Sequence, residues 1–241
     1  MIISGCTDIG CRYEENQDCY RAGKLGENLF WLLICDGMGG LALGGKASRL
    51  AASFIGERLQ KELVDLADVA DISAYLTELI ARCNKEVRKQ GMLLAEGSMG
   101  TTVVVAVVRG QDAVIAHCGD SRAYHLQKRQ FRRVTRDHSV VQELLDAGRL
   151  TEEQAMHHPN KNIITSALGV DTDAKIDIDT LRLQKGDILL LCSDGLSNMV
   201  SDGEMEQLLR DTEFYSAARV LVDNAVQAGG FDNITAVLLQ A

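Results

Sequence analysis

Residues 29–45 read LFWLLICDGMGGLALGG, an apolar run that stops at Asp36 and continues into a glycine-rich loop. The run from Leu29 to Cys35 is short and contains Phe, Trp and Ile, which is typical of a buried strand rather than a helix. A buried strand fixes the position of its last residue. We therefore expect Asp36 at a strand end, where its carboxylate and a backbone carbonyl freed by glycine could hold a metal ion.

Three other interpretations of this loop stay open on these residues alone. Residues 40–46 nearly match a phosphate-binding P-loop, but Ala47 stands where a Ser or Thr hydroxyl must reach magnesium. Residues 37–42 nearly match a dinucleotide fingerprint, but no second strand ending in an acid follows about twenty residues later. The third interpretation is an ordinary Asp-Gly turn after a strand.

Composition limits the class of protein. The chain has 241 residues, 46% of them hydrophobic, which suits one domain over residues 1–241. A net charge of -9 argues against nucleic-acid or anionic-membrane partners. Seven scattered cysteines without a Cys-x-x-Cys pair argue against structural zinc and fit a reducing cytoplasm. We find neither a signal peptide nor an apolar run long enough to span a bilayer.

Hydrophobic periodicity predicts strands and helices in alternating groups. The helical three-and-four spacing covers residues 46–63 and 72–87, the second with Asp71 as its N-cap, and two more helices over 202–210 and 216–228. Apolar or alternating runs predict strands. The predicted strands are residues 2–9, 29–35, 101–108, 113–118, 123–126, 176–183, 187–193 and a last one that ends at 239.

A polar, loop-rich insertion over about residues 136–169 interrupts this pattern and is predicted to be a flap. A short helix is expected at 140–147, and a capping box at Thr151–Gln154 predicts another. His157 and His158 invite a metal interpretation. Because neighbours on an extended segment point in opposite directions, we favour a loop role for them.

Four acidic residues share one position relative to the strands. Asp36, Asp120 and Asp194 each follow a buried apolar run, and Asp232 precedes one. If these strands are neighbours, four carboxylates meet and repel, each raising the pKa of the others. Hard divalent cations such as magnesium or manganese resolve this repulsion, and a pair of them can activate water against a phosphoryl group.

These motifs, taken in order, resemble the signatures of metal-dependent protein Ser/Thr phosphatases of type 2C. The resemblance covers nearly the whole chain and matches a bare bacterial-type catalytic domain. It rests on Asn16-Gln-Asp18, Asp36-Gly-Met-Gly-Gly40, Gly119-Asp-Ser-Arg122, Ser193-Asp-Gly195 and Gly230-Phe-Asp-Asn-Ile-Thr235.

The resemblance implies an α+β fold, a four-layer αββα sandwich of two antiparallel β-sheets flanked by helix pairs. It also implies Mn²⁺ or Mg²⁺ as cofactor, with two core ions and a third seen in bacterial members. Catalysis would depend on Asp36, Asp194 and Asp232. The implied metal ligands are Asp36 between two ions, the Gly37 carbonyl, Asp194 and Asp232 at the first ion, Asp120 with Asp194 at the third, and Asp18 through water.

Three residues depart from the family pattern. Gln17 stands where members usually carry Glu, which removes a negative charge. Tyr13 occupies the slot of the usual phosphate-binding Arg, and Arg12, one place earlier, is our candidate for that role. Met38 replaces a His of some eukaryotic members, so water is expected to protonate the leaving alkoxide.

The expected function is Mg²⁺/Mn²⁺-dependent hydrolysis of phosphoserine and phosphothreonine in proteins by a metal-bridging hydroxide. The expected partners are phosphoprotein substrates of a Ser/Thr kinase, in the cytoplasm. Two alternatives remain at this point: a catalytically silent phospho-sensing module of the same fold, and a nucleotide-binding protein that uses the glycine loop.

Overall fold

The computed structural model describes residues 1–38, 43–66, 68–94, 99–128, 130–156 and 158–241. The centre of the glycine loop therefore lies outside the described residues, together with His157. The strands are β1 (Ile2–Asp8), β2 (Asp18–Leu25), β3 (Leu29–Met38), β4 (Gly100–Thr101), β5 (Val103–Arg109), β6 (Asp112–Cys118), β7 (Arg122–Gln127), β8 (Gln130–Arg133), β9 (Asp177–Arg182), β10 (Ile188–Cys192) and β11 (Ile234–Gln240). The α-helices are α1 (Leu43–Glu62), α2 (Val69–Leu93), α3 (Val140–Asp146), α4 (Glu152–Met156), α5 (Asp194–Ser197), α6 (Asp202–Asp211) and α7 (Phe214–Gln227).

Within these ranges the strands form two antiparallel sheets. One has the order β1-β11-β10-β7-β8, and the other has the order β2-β3-β5-β6-β9 with β4 paired to β3. The chain passes from the second sheet to the first in the turn between β6 and β7. Residue 120 lies in that turn and so connects the two sheets directly.

The apolar run of β3 is continuous because both of its faces are buried. Trp31 and Leu33 face α1 and α2 in one hydrophobic cluster. Phe30 and Ile34 face the opposite way, into a cluster shared with the other sheet. Each residue points to the side opposite its neighbour, as a strand requires, so an unbroken apolar sequence marks an inner strand.

Strand β10 has the same arrangement in the other sheet. Leu189 and Leu191 pack between the sheets, whereas Leu190 and Cys192 pack against α6 and α7. The layer order is thus helices, sheet, sheet, helices, and the predicted α+β sandwich is confirmed. None of the described helices has both the length and the apolarity that crossing a bilayer requires.

Two details of the helices differ from the prediction. Helix α2 begins before Ile72, and its N-cap is Asp68, whose side chain accepts the N–H of Asp71. The prediction of Asp71 as the cap was wrong because the helix begins one turn earlier, at Val69, which is only partly buried against the same cluster. Helix α5, which begins at Asp194, was missed because it is only four residues long.

The flap segment connects β8 to β9 and contains α3 and α4. The capping box predicted at its second helix is present: the Thr151 hydroxyl accepts the N–H of Gln154, and the Gln154 amide accepts the N–H of Thr151. An isolated bridge from Ser139 to Ile164 joins the two ends of the segment, and another from Thr101 to Leu168 attaches it to β4. Short bridges rather than long ladders therefore fix its position.

Replacing Leu191 by Ala tests the layer between the sheets. Leu191 is fully buried there, so the cavity should lower the free energy of unfolding by about 2–5 kcal/mol. Met92, which is 74% exposed at the end of α2, supplies the control Met92→Ala, with an expected change within about 0.5 kcal/mol. Urea unfolding of both variants measures the difference, and equal losses would contradict the assignment of Leu191 to this layer.

Candidate metal-dependent active site

The four predicted strand-end acids line one pocket. It has a volume of about 730 Å³ and lies where the ends of the two sheets meet. The elements that place the acids explain this. Asp36 ends the apolar run of β3, Asp120 lies in the turn between the sheets, Asp194 opens α5 directly after β10, and Asp232 precedes β11.

Hydrogen bonds hold the backbone around Asp36 in place. Its carbonyl accepts the N–H of Thr102 and the hydroxyl of Thr101, each at 2.8 Å, and its N–H donates to the Thr102 hydroxyl at 3.1 Å. The Thr102 hydroxyl in turn bonds the hydroxyl of Ser121 at 2.7 Å. The Asp36 and Asp120 segments are thus connected through two buried side chains.

Asp18 lies behind the pocket and is paired with Asp36 across β2 and β3. One oxygen, Oδ2, accepts hydroxyls from Ser193 at 2.7 Å and Thr235 at 2.6 Å, next to Asp194 and Asp232 along the chain. The other oxygen, Oδ1, is buried with no hydrogen-bond partner among the described residues. A buried carboxylate oxygen without a donor is costly, so it favours a cation or a water molecule there.

Asn16 and Asn233 organise the loop that leads into Asp18. The Asn16 side chain accepts the N–H of Asp18 at 3.0 Å, and the Asn233 side chain accepts the N–H of Gln17 at 2.8 Å. The Asn233 amide also donates to the carbonyl of Ile9 at 2.8 Å. The motif around Asp232 thereby binds the opening motif of the chain.

Close backbone contacts explain two of the glycines that follow the acids. A Cβ at Gly37 would lie 2.2 Å from the carbonyl oxygen of Gly44, and one at Gly195 would lie 2.0 Å from that of Asn233. Any side chain there would push the segments apart. The Asp-Gly pairs therefore allow the acid-bearing segments to pack closely together.

Burial and mutual repulsion dominate the electrostatics. Burial, followed by the charges of Asp18 and Asp194, raises the pKa of Asp36 well above its usual range. Burial raises the pKa of Asp18 to about 7, although the Thr235 and Ser193 hydroxyls lower it. Burial and then the charge of Asp232 raise the pKa of Asp194 to about 6. Burial likewise raises the pKa values of Asp120 and Asp232.

This set of donors fits hard divalent cations. The acids that line the pocket offer carboxylate oxygens, and Gly37, whose carbonyl is the predicted further donor, lines the pocket as well. Cations such as Mg²⁺ and Mn²⁺ prefer such ligands, and their charge would cancel the repulsion among the carboxylates. The observation that supports this fit is the orphaned Oδ1 of Asp18, which lies behind the carboxylates that repel one another.

Arg12, the predicted phosphate-binding residue, and its neighbour Tyr13 have different surroundings. The guanidinium of Arg12 lies over the ring of Phe231, 4.8 Å from its centroid. Tyr13 lines the pocket, where the charge of Asp232 and then burial raise its pKa. Sequence reasoning did not single out Asn162 and Ile164 of the flap, which also line the pocket. Their role depends on how the flap folds back, so no local pattern indicates it.

Comparison with known proteins agrees with this geometry. The family model described as protein phosphatase 2C matches residues 12–227. This is most of the chain, and it includes Asp36, Asp120 and Asp194 of the pocket, whereas Asp232 lies just beyond the matched range.

The chain belongs to the protein phosphatase 2C family.

Individual relatives cover nearly its full length. The serine/threonine phosphatase stp of Listeria monocytogenes is 39% identical over 97% of this chain and 93% of that protein. The structure of serine/threonine phosphatase Stp1 from Staphylococcus aureus superposes with a TM-score of 0.93 at 34% identity, over 99% of this chain and 94% of that one. The catalytic domain of the phosphatase PstP, solved in complex with two manganese ions, gives 0.83 at 31% identity, over 98% and 96%.

Two predictions are confirmed: that the chain belongs to the protein phosphatase 2C family, and that it is a metal-dependent serine/threonine protein phosphatase. Manganese as a cofactor is likewise confirmed for this phosphatase 2C chain. Nothing supports the silent module or the nucleotide-binding alternative. The role of each site residue stays a prediction.

The raised pKa values predict how stability depends on pH without metal. The folded protein holds the proton of Asp18 up to about pH 7, whereas an ordinary Asp releases it near 3.8. The stability that this proton provides is complete below the ordinary pKa and is lost as the pH rises through about 7. In chelator, the free energy of unfolding of Asp18→Asn, measured relative to that of the wild type, should therefore increase by about 2 kcal/mol between pH 5.5 and pH 8.0.

Thermal unfolding at both pH values measures this difference. With added Mn²⁺ the wild type should become more stable than Asp18→Asn, because Mn²⁺ stabilises the wild type by binding to its folded state. A gap between Asp18→Asn and wild type that stays constant with pH would contradict the raised pKa.

Proposed function

We propose that this phosphatase removes phosphate from phosphoserine and phosphothreonine in proteins, with divalent cations held by the acids of the strand-end pocket. The observation that carries the proposal is the convergence of Asp36, Asp120, Asp194 and Asp232 from four separate segments on one pocket. A silent binding module has no need for every one of these acids.

Each acid has a distinct proposed place. Asp36, Asp194 and Asp232, with the Gly37 carbonyl, would hold the two core cations. Asp120 together with Asp194 would hold a third. Asp18 would act from behind through water, in keeping with its buried position and its orphaned oxygen.

When bound, Mn²⁺ or Mg²⁺ supplies Lewis acidity toward the phosphate ester and lowers the pKa of a water molecule, so that hydroxide is available near neutral pH to attack the phosphorus atom. The residues of the chain orient this chemistry. The hydroxyls of Ser193 and Thr235 fix Asp18, and the Thr101 and Thr102 contacts fix Asp36. Met38 at the pocket wall has no proton to give, so solvent protonates the leaving alkoxide.

A route through a covalent cysteine intermediate does not fit. None of the described residues that line the pocket is a cysteine. Burial raises the pKa of Cys192 to about 12 and that of Cys118 to about 11, which keeps these thiols protonated and unreactive.

The proposed partners are phosphoproteins, and a Ser/Thr kinase would supply them. The flap residues Asn162 and Ile164 line the pocket and would contact the peptide around the phosphorylated residue. We place this activity in the cytoplasm, since all seven cysteines are free. We also propose that residues 1–241 act as one catalytic unit, with about 136–169 as its flap.

Metal and substrate dependence test this function. Phosphate release from a phosphothreonine peptide should vanish in chelator, return with Mn²⁺ and exceed release from the phosphotyrosine peptide. Asp194→Asn should fold but lose more than about 100-fold in kcat, because it removes a metal ligand. Asp112→Asn is the control, since this exposed acid begins the same strand that leads to Asp120. Activity that persists in chelator, or a fully active Asp194→Asn, would contradict the mechanism.

A second kinetic comparison tests whether Arg12 or Tyr13 contacts the substrate phosphate. If Arg12 binds the phosphate, Arg12→Ala should raise KM several-fold and lower kcat less. Phe231→Leu removes the ring beneath the guanidinium and should have a smaller effect of the same kind. An unchanged KM for Arg12→Ala, together with a raised KM for Tyr13→Phe, would transfer the phosphate contact to Tyr13.

A further inference from the structure

His138 binds both backbone polar groups of Gly119, the residue before Asp120. The N–H of His138 donates to the Gly119 carbonyl at 2.9 Å. The Nδ1 of its ring accepts the N–H of Gly119 at 3.2 Å. The turn that carries the Asp120 carboxylate into the pocket is therefore held by one residue from the beginning of the flap.

The same residue also holds the far end of the flap. The His138 carbonyl accepts the N–H of Thr165 at 2.8 Å. Next to it, Ser139 forms a bridge with Ile164, and the Val140 N–H donates to the Ile163 carbonyl at 2.9 Å. Ile164 lines the pocket, so this short pairing sets the position of one pocket wall.

The hydrogen bonds define the tautomer of the ring. Since Nδ1 accepts a backbone N–H, the proton of the neutral ring lies on Nε2. Nε2 is 3.2 Å from Oδ2 of Asp177, which opens β9, and donates to it. The ring is 2% exposed, and burial lowers the pKa of His138, which favours this neutral form. Asp177 thus keeps Nδ1 free to accept from Gly119.

A cation at this place does not fit the same bonds. His117, His138 and Asp177 have ligand atoms within 4.8 Å of one another. To ligate through Nε2, however, His138 would have to move its proton to Nδ1, where it would face the Gly119 N–H. His117 stacks on this ring at 4.7 Å, and its Nε2 donates to the Arg136 carbonyl at 2.8 Å. The group is a set of hydrogen bonds between segments rather than a metal site.

We propose that His138 is a positioning residue that couples the Asp120 turn to the flap, so that the Asp120 ligand and the Ile164 wall take their places together. This inference rests on the proposed function, in which Asp120 binds a cation.

Two substitutions of His138 test the hydrogen bonds of its two ring nitrogens one at a time. In His138→Asn, the amide oxygen can occupy the place of Nδ1 and accept from Gly119, but nothing reaches Asp177. In His138→Gln, the amide can reach Asp177, but nothing accepts from Gly119. His158 provides the matched control, because its Nδ1 accepts the N–H of Asn160 at 3.1 Å, a bond of the same kind within the flap itself.

Calorimetric titration with Mn²⁺ is the first readout, and Asp120→Asn identifies the ion that depends on Asp120. His138→Gln should weaken binding of that ion about tenfold, as loss of an outer partner of a metal ligand does. His138→Asn and His158→Gln should remain within about twofold of wild type. His138→Gln should also raise KM for a phosphothreonine peptide and leave KM for p-nitrophenyl phosphate unchanged, because only the peptide reaches the flap wall.

The wild-type protein gives a readout that needs no variant. The ¹⁵N shifts of His138 should show a protonated Nε2 and an unprotonated Nδ1, and Zn²⁺ should leave them unchanged. The opposite tautomer, equal losses of Mn²⁺ affinity in the Asn and Gln variants, or no loss in His138→Gln would overturn the proposal. So would an Asp120→Asn protein that binds Mn²⁺ as wild type does. Absence of Mn²⁺-dependent activity in the wild type would instead refute the proposed function itself.

Discussion

The repulsion among buried carboxylates is the constraint on which this molecule depends. Folding brings Asp36, Asp120, Asp194 and Asp232 to one pocket, with Asp18 behind them, and after burial the charges of the other four raise the pKa of Asp36. No basic side chain is among the described residues that line the pocket. The apolar layers must therefore supply the free energy that holds these acids together, and divalent cations relieve the remaining electrostatic cost.

The sandwich supplies that energy because its inner strands are buried on both faces. Strand β3 packs against helices through Trp31 and Leu33 and against the other sheet through Phe30 and Ile34. Such a strand cannot slip by one residue without exchanging its two faces. Asp36 is fixed at its end for the same reason, and Asp194 is fixed by the equivalent packing of β10.

Several features of the fold and the site could be predicted from the sequence. Continuous apolar runs indicated inner strands, and the acids at their ends indicated a shared cation site. The predictions failed where local pattern carries little information. The cap of α2 was placed at Asp71 instead of Asp68, and β2 was missed, because Asp18–Leu25 is a half-exposed strand without a strong alternation.

By itself the sequence determined which residues could serve as ligands and which strands were buried, because residue type and apolar periodicity are local properties. Only the tertiary structure decided which side chains meet. In the folded chain Asp18 accepts hydrogen bonds from the hydroxyls of Ser193 and Thr235. The Arg12 guanidinium lies over the Phe231 ring, and the His138 ring accepts the N–H of Gly119. These contacts join residues that are not neighbours in the chain, and they depend on how the elements pack in three dimensions, which no local stretch of sequence encodes.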